Sequence, residues 1–136
     1  MTEQEKQLLV KALCGYFPYG VICSVVHKKD GRLVEEDMKL SGMFEYGNFY
    51  FLDEMGSTYS YKYIPYLRPM SSMTEEERNE YLSIKMQETE RVALAEIYRP
   101  EAISEIMDWL DSHYFDYRGL IKKGLALEAP FGMYDC

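Results

Sequence analysis

Apolar and polar positions change rhythm once along the chain. Through residue 67 the pattern is short, aromatic and often alternating, as in strands; from residue 74 it becomes acidic and follows the 3.6-residue period of helices. Between them Pro65 and Pro69 forbid a regular ladder or helix and push their preceding residues toward extended backbone. Thr74 then has the character of an N-cap, with Glu77 three residues on to complete a capping box. The pattern predicts one domain over 1–136, sheet-rich over 16–67 and helical over 74–136.

Thr2 and Glu5 form a similar box, and Leu8, Leu9, Ala12 and Leu13 make the apolar stripe of a first helix, with Gly15 placed to end it. Residues 21–27 are β-branched and short, which predicts a strand buried on both faces. Asp30-Gly31 signals a hairpin into a more charged strand over 32–40, continued over 41–45 past a bulge at Gly42. Gly47-Asn48 between aromatic flanks predicts a second hairpin, and Met55-Gly56-Ser57 a further turn. Residues 58–64 then alternate, placing Tyr59, Tyr61 and Tyr63 on one face.

From Thr74 a long helix is expected to about Tyr98, burying Leu82, Met86, Ala93 and Ile97. Pro100 interrupts it and opens a third helix with Ile103, Ile106, Met107, Leu110 and Tyr114 inward. Phe115, Tyr117, Leu120, Ile121, Leu125, Leu127 and Phe131 are too much apolar surface for a free tail, so 114–133 is expected to belong to the fold. These elements predict an α+β fold: a small antiparallel sheet or SH3-like partial barrel of about four strands, packed with about three helices.

Charge adds asymmetry to this picture. Of the net −8, residues 1–73 carry −1, residues 74–116 carry −8 and residues 117–136 carry +1. An acidic helical half repels phosphate backbones and suits a basic protein partner. No apolar run is long enough to span a bilayer and no basic n-region leads into an apolar run, so a cytoplasmic setting without membrane contact is expected. Cys14, Cys23 and Cys136 are an odd, widely spaced set and read as free thiols, the first two as buried hydrophobes.

Three segments, LCGYFPYGV at 13–21, PYLRPMSSMTEEE at 65–77 and HYFDYRGLIKKGLALEAP at 113–130, resemble a family of small uncharacterised proteins from phages and mobile elements of gut Bacteroidota. The likeness spans nearly the whole chain except 28–63. It implies a bacterial or phage setting, and it brings no activity or catalytic residue with it.

Candidate chemistry is sparse. Cys14, Cys23 and His27 fit none of the usual zinc spacings, and no Cys–His nucleophile pair or phosphate-cradling glycine loop stands out. Glu75, Glu76 and Glu77 are explained by a helix start, so no metal site, cofactor or catalytic residue is assigned. His113, near Asp111 and Asp116, is the centre of a hydrolase alternative. The strongest binding candidates are Tyr59, Tyr61, Tyr63 and Tyr66 with Arg68: an aromatic sheet face stacks bases or anchors a protein, unless the chain's own helices cover it. Lys28, Lys29, Arg32 and Lys62 keep a nucleic-acid reading in view, while Arg68 and Arg118 are better matched to the acidic helices. The favoured reading is an accessory, protein-binding component of a mobile element rather than an enzyme.

Overall fold

A computed structural model describes residues 2–45, 48–53, 56–58, 60–95 and 100–134. Helix α1 spans Glu3–Tyr16 and β1 Ile22–Lys29. They are followed by β2 (Arg32–Glu45), β3 (Asn48–Asp53), β4 (Gly56–Thr58) and β5 (Ser60–Leu67). Helices α2 (Glu75–Ala95) and α3 (Pro100–Ser112) come next, and β6 (Leu127–Glu128) closes the series. The strands order as β4-β3-β2-β1-β5-β6, antiparallel throughout except for the parallel β5–β6 pair. The class is α+β with a small sheet, but of six strands among the described residues rather than about four.

The sheet is strongly curled. β3 and β5 stand three places apart, which would separate them by about 14 Å in a flat sheet. Yet Cα atoms of the two come within 8 Å, and the Tyr63 ring packs 5.7 Å from Phe49 and 5.9 Å from Phe51. Onto the concave face α1 lays Leu9, Val10, Ala12, Leu13 and Tyr16 against Cys23, Val25, Met38, Leu40, Phe49 and Phe51. A second, smaller core gathers Trp109, Leu110 and Phe115 with Met73, Tyr81, Ile84 and Ile106, joining α2 to α3.

Both capping boxes form, Thr2 with Glu5 and Thr74 with Glu77. At the first hairpin Asp30 and Gly31 take φ of +54° and +79°, the two left-handed positions of a type I′ turn. The β2 bulge lies where expected: Leu40 pairs with Phe51 but Gly42 with Tyr50, so Ser41 is the extra residue. A Cβ on Gly42 would come within 2.6 Å of the Tyr50 ring, which lies across it. Gly42→Ala is therefore expected to lower stability by about 1–3 kcal/mol. The cost should shrink in a Tyr50→Ser background, and equal costs in the two backgrounds, read from urea midpoints, would rule out this contact as the cause.

Several expectations need correction. Gly15 does not end α1, which runs on to Tyr16, then through a 3-10 turn to Gly20 at φ +81°. Gly15 instead makes room: a Cβ there would sit 3.0 Å from Asp111 Oδ2 and 3.1 Å from Arg118 Nη2. Cys14 is exposed, because it points away from the stripe through Leu9, Leu13 and Tyr16. Gly56 and Ser57 pair in β4 instead of turning, since Asp53 meets Gly56 directly. The run 58–64 is consequently two elements, with Thr58 ending β4 and Ser60 opening β5. β2 and β3 pair as a hairpin where one was expected, but Asn48 opens β3 opposite Glu45 instead of sitting in the turn, and Gly47 lies outside the described residues.

On α2 it is Tyr81 and Ile84 that face the core; Leu82 and Met86 are exposed. The expected partners Ala93 and Ile97 lie outside what is described, as does Ile103 on α3. Met107 is exposed, and Trp109 takes the inward position. Pro100 opens α3 as expected. The C-terminal segment does join the fold through Phe115, Leu120, Leu125 and Ala126, although Leu127 and Phe131 are exposed.

Candidate functional site

The join between sheet and helices is built on Arg68, which follows β5. Its backbone is held on both sides, Arg68 N donating to the Tyr114 carbonyl at 2.7 Å and the Arg68 carbonyl accepting from Asp116 N at 2.8 Å. Its guanidinium lies 4.3 Å from the centre of the Phe115 ring. Nη1 and Nη2 donate to the two oxygens of Glu77 at 2.7 and 2.6 Å, a bidentate pair. Glu77 Oε1 also accepts from Thr74 N at 3.0 Å. One carboxylate thus completes the α2 capping box and receives Arg68. Both side chains are mostly buried, and the hydrogen bonds from Arg68 hold the Glu77 carboxyl at about 2, well below its ordinary value.

Behind Arg68 the aromatics form a stack. Phe115 lies 5.8 Å from Trp109, which lies 5.7 Å from Tyr81 and 4.2 Å from His113. His113 Nδ1 stands 2.8 Å from the Trp109 carbonyl and 3.1 Å from Ser112 Oγ. Its ring is packed and hydrogen-bonded along α3, and a boundary role accounts for both features.

Arg118 meets the other helix, as expected: Nη1 donates to Asp111 Oδ1 at 3.3 Å, and the Tyr117 hydroxyl donates to the same oxygen at 2.9 Å. Burial pushes the Asp111 carboxyl above its usual range, against the pull of both donors. The Tyr16 hydroxyl reaches the Phe115 carbonyl from α1, so this buried cluster ties three segments together. Asp116 accepts from Leu120 N at 2.8 Å and Ile121 N at 2.9 Å, fixing the turn that follows.

Of the five residues put forward as a binding face, the three whose side chains are described, Tyr63, Tyr66 and Arg68, do not share one. Tyr59 and the side chain of Tyr61 lie outside what is described. Tyr63 points into the concave core, where burial raises its hydroxyl pKa. Tyr66, three residues on, is on the opposite face and donates to Asp37 Oδ1 at 2.8 Å. Ser24 Oγ on the same face donates to Glu35 Oε1 at 2.9 Å, and by register Lys28, Lys39 and Lys62 stand on that outer face with Glu35 and Asp37. Arg68 is held in the join.

His27 is buried to 1% exposure, and among the described residues neither ring nitrogen has a hydrogen-bond partner. The half-exposed Glu36 carboxylate stands 3.5 Å from Nε2. A buried polar group without partners opposes folding. His27→Leu is therefore expected to leave the denaturation midpoint unchanged or raise it. A loss above about 2 kcal/mol would identify the Glu36 contact as a stabilising ion pair.

Among the described residues no group of three or more His, Cys, Asp or Glu is placed to hold a metal ion. Burial raises the Cys23 thiol to about 12, which keeps it protonated. No described helix is long and apolar enough to cross a membrane. What stands out of the fold is apolar: Leu82 is 46% and Met86 65% exposed, one turn apart on α2. The sequence signals this face only weakly, because a helix with apolar residues on two sides reads the same whichever side is covered. No family model matches the chain, and neither curated proteins nor solved structures give a match.

Proposed function

We propose that the chain is an accessory, protein-binding component of a phage or mobile element, working without a catalytic centre of its own. The observation that carries this reading is the division of labour among its side chains. Arg68, Glu77, Asp111, Asp116, Arg118 and His113 are engaged in contacts that hold the fold. Large apolar side chains stand exposed on helices that carry ten acidic and three basic residues between them. The likeness of its three segments to small proteins of phages and mobile elements supplies the setting.

The nucleic-acid alternative is less well supported. By register Lys28, Lys39 and Lys62 share the outer sheet face with Glu35, Asp37 and Tyr66, and this mixed charge is not the basic groove that tracks a phosphate backbone. A labelled single-stranded DNA or RNA should show no anisotropy change at micromolar protein and physiological salt. The tagged chain, crosslinked in the cell that makes it, should yield a protein adduct of defined stoichiometry. Micromolar nucleic-acid binding without a protein adduct would overturn the reading.

A further inference from the structure

We infer that residues 130–134 form a strap with two settings: closed, with the Tyr134 hydroxyl standing as a rung between β1 and β5, and lifted, with the two strands closing that rung directly. The register locates the rung. Ser24 lies opposite Ile64 and Cys23 opposite Pro65, so one step further Ile22 comes opposite Tyr66. Partners in an antiparallel ladder alternate between pairs that exchange two hydrogen bonds and pairs that exchange none. Pro65 has no N–H to give and fits the second kind, which makes Ile22 and Tyr66 a bonding pair. The next carbonyl agrees: Leu67 turns its own to the other edge, where it accepts from Ala129 N at 2.8 Å.

In the closed setting the hydroxyl occupies this pair. Tyr134 Oη accepts from Ile22 N at 2.8 Å and donates to the Tyr66 carbonyl at 2.8 Å, with the Ile22 carbonyl 3.2 Å away. A donor and an acceptor that the register sets face to face are joined through a third group. Departure of the hydroxyl lets them bond to each other, so neither is left unpaired and the polar cost of lifting is small. Ahead of Met133 the strap buries little: Pro130, Phe131 and Gly132 are exposed, Phe131 completely. What lifting gives up is the stacking of Tyr134 on Tyr114, 3.8 Å between ring centres. Tyr114 stays in place, because its hydroxyl bonds the Tyr19 carbonyl and its own carbonyl accepts from Arg68 N. Lifting therefore uncovers one face of a fixed aromatic ring while that end of the sheet stays shut. The device is independent of the protein-binding reading above.

The test reads the rung itself by NMR, on the full chain and two variants. Tyr134→Phe keeps the ring and removes the hydroxyl; a chain ending at Gly132 removes the latch altogether. The expected result is a scalar coupling between Ile22 N and the Tyr66 carbonyl carbon, carried across a new hydrogen bond, in both variants and not in the parent. The Met133 amide, which donates to the Pro130 carbonyl, should exchange with solvent roughly tenfold faster in Tyr134→Phe than in the parent, while the Ile22 amide stays protected. Absence of the coupling in the chain ending at Gly132, or loss of Ile22 protection there, would show that the strands do not close the rung and would overturn the proposal. Unchanged Met133 exchange in Tyr134→Phe would show that the hydroxyl is not the latch, and would overturn it too. Should Tyr134→Phe fail to fold, native-state exchange in the parent decides. Met133 must then exchange through an opening that leaves Ile22 protected, and one common rate for the two amides, set by global unfolding, removes the strap.

Discussion

A chain cut after Ser112 will not fold cooperatively. The cut removes Phe115, Leu120, Leu125 and Ala126, all buried, and with them strand β6 at the edge of the sheet. Burial of each large side chain contributes about 1.5–3 kcal/mol, while the whole stability of such a domain is about 5–15 kcal/mol. The polar losses point the same way. The Tyr134 hydroxyl accepts from Ile22 N at 2.8 Å and lies 2.8 Å from the Tyr66 carbonyl, pinning the end of the chain to β1 and β5. Arg68 would lose both of its backbone partners, Tyr114 and Asp116, and the ring beneath its guanidinium. Near-ultraviolet circular dichroism and a urea titration check this: the 1–112 chain should show no tertiary signal and no sigmoidal transition. A chain ending at Tyr134 keeps every contact named here and should match the parent. A cooperative transition in the shorter chain would mean that the sheet and α1 close their core unaided.

Arg68→Ala is expected to cost on the order of 2–3 kcal/mol at neutral pH. It strips Glu77 of a bidentate partner, exposes the face of Phe115 and leaves a mostly buried carboxylate with only the Thr74 groups. The pH dependence is the sharper signature. The Glu77 carboxyl has a folded-state pKa of about 2, below its ordinary 4.5. Its contribution is therefore fully present above about pH 5 and is lost as the pH falls toward 2. Parent and variant should differ widely at pH 7 and converge near pH 2. Arg68→Lys should recover little, because an ammonium cannot give two parallel donors while lying flat on Phe115. A difference in stability that stays constant from pH 7 to pH 2 would show that packing on Phe115, and not the ion pair, is what Arg68 supplies.

What the sequence disclosed depended on the range of the interaction. Thr2, Glu5, Thr74 and Glu77 were legible because a capping box lies within four residues. The Asp30-Gly31 hairpin was legible because it rests on the left-handed backbone that glycine and its neighbour allow; Gly42 marked the bulge, but what requires a glycine there is the Tyr50 ring lying across it. The preference of Arg68 and Arg118 for acidic helices followed from charge alone, but not that Arg68 would choose the capping glutamate itself. Contacts across the chain left no local trace. Gly15 looks like a helix stop until Asp111 and Arg118 are seen above it. Tyr63 and Tyr66 are a different case: three apart on one strand, they fall on opposite faces by parity alone, which the sequence already carried. Tyr134, more than a hundred residues from Ile22, gives no hint in its neighbourhood that it closes the sheet. On α2 the apolar positions were visible, but which set met α3 was fixed by Trp109 and Phe115, and that left Leu82 and Met86 outside.

The measurement closest to the central claim is photo-crosslinking in the cell that makes the protein, with a photoreactive side chain placed at Met86 in one version and at Lys62, on the same outer sheet face as Tyr66, in another. The account predicts a discrete protein adduct from position 86 and none from position 62. A nucleic-acid adduct from position 62 with nothing at position 86 would contradict it.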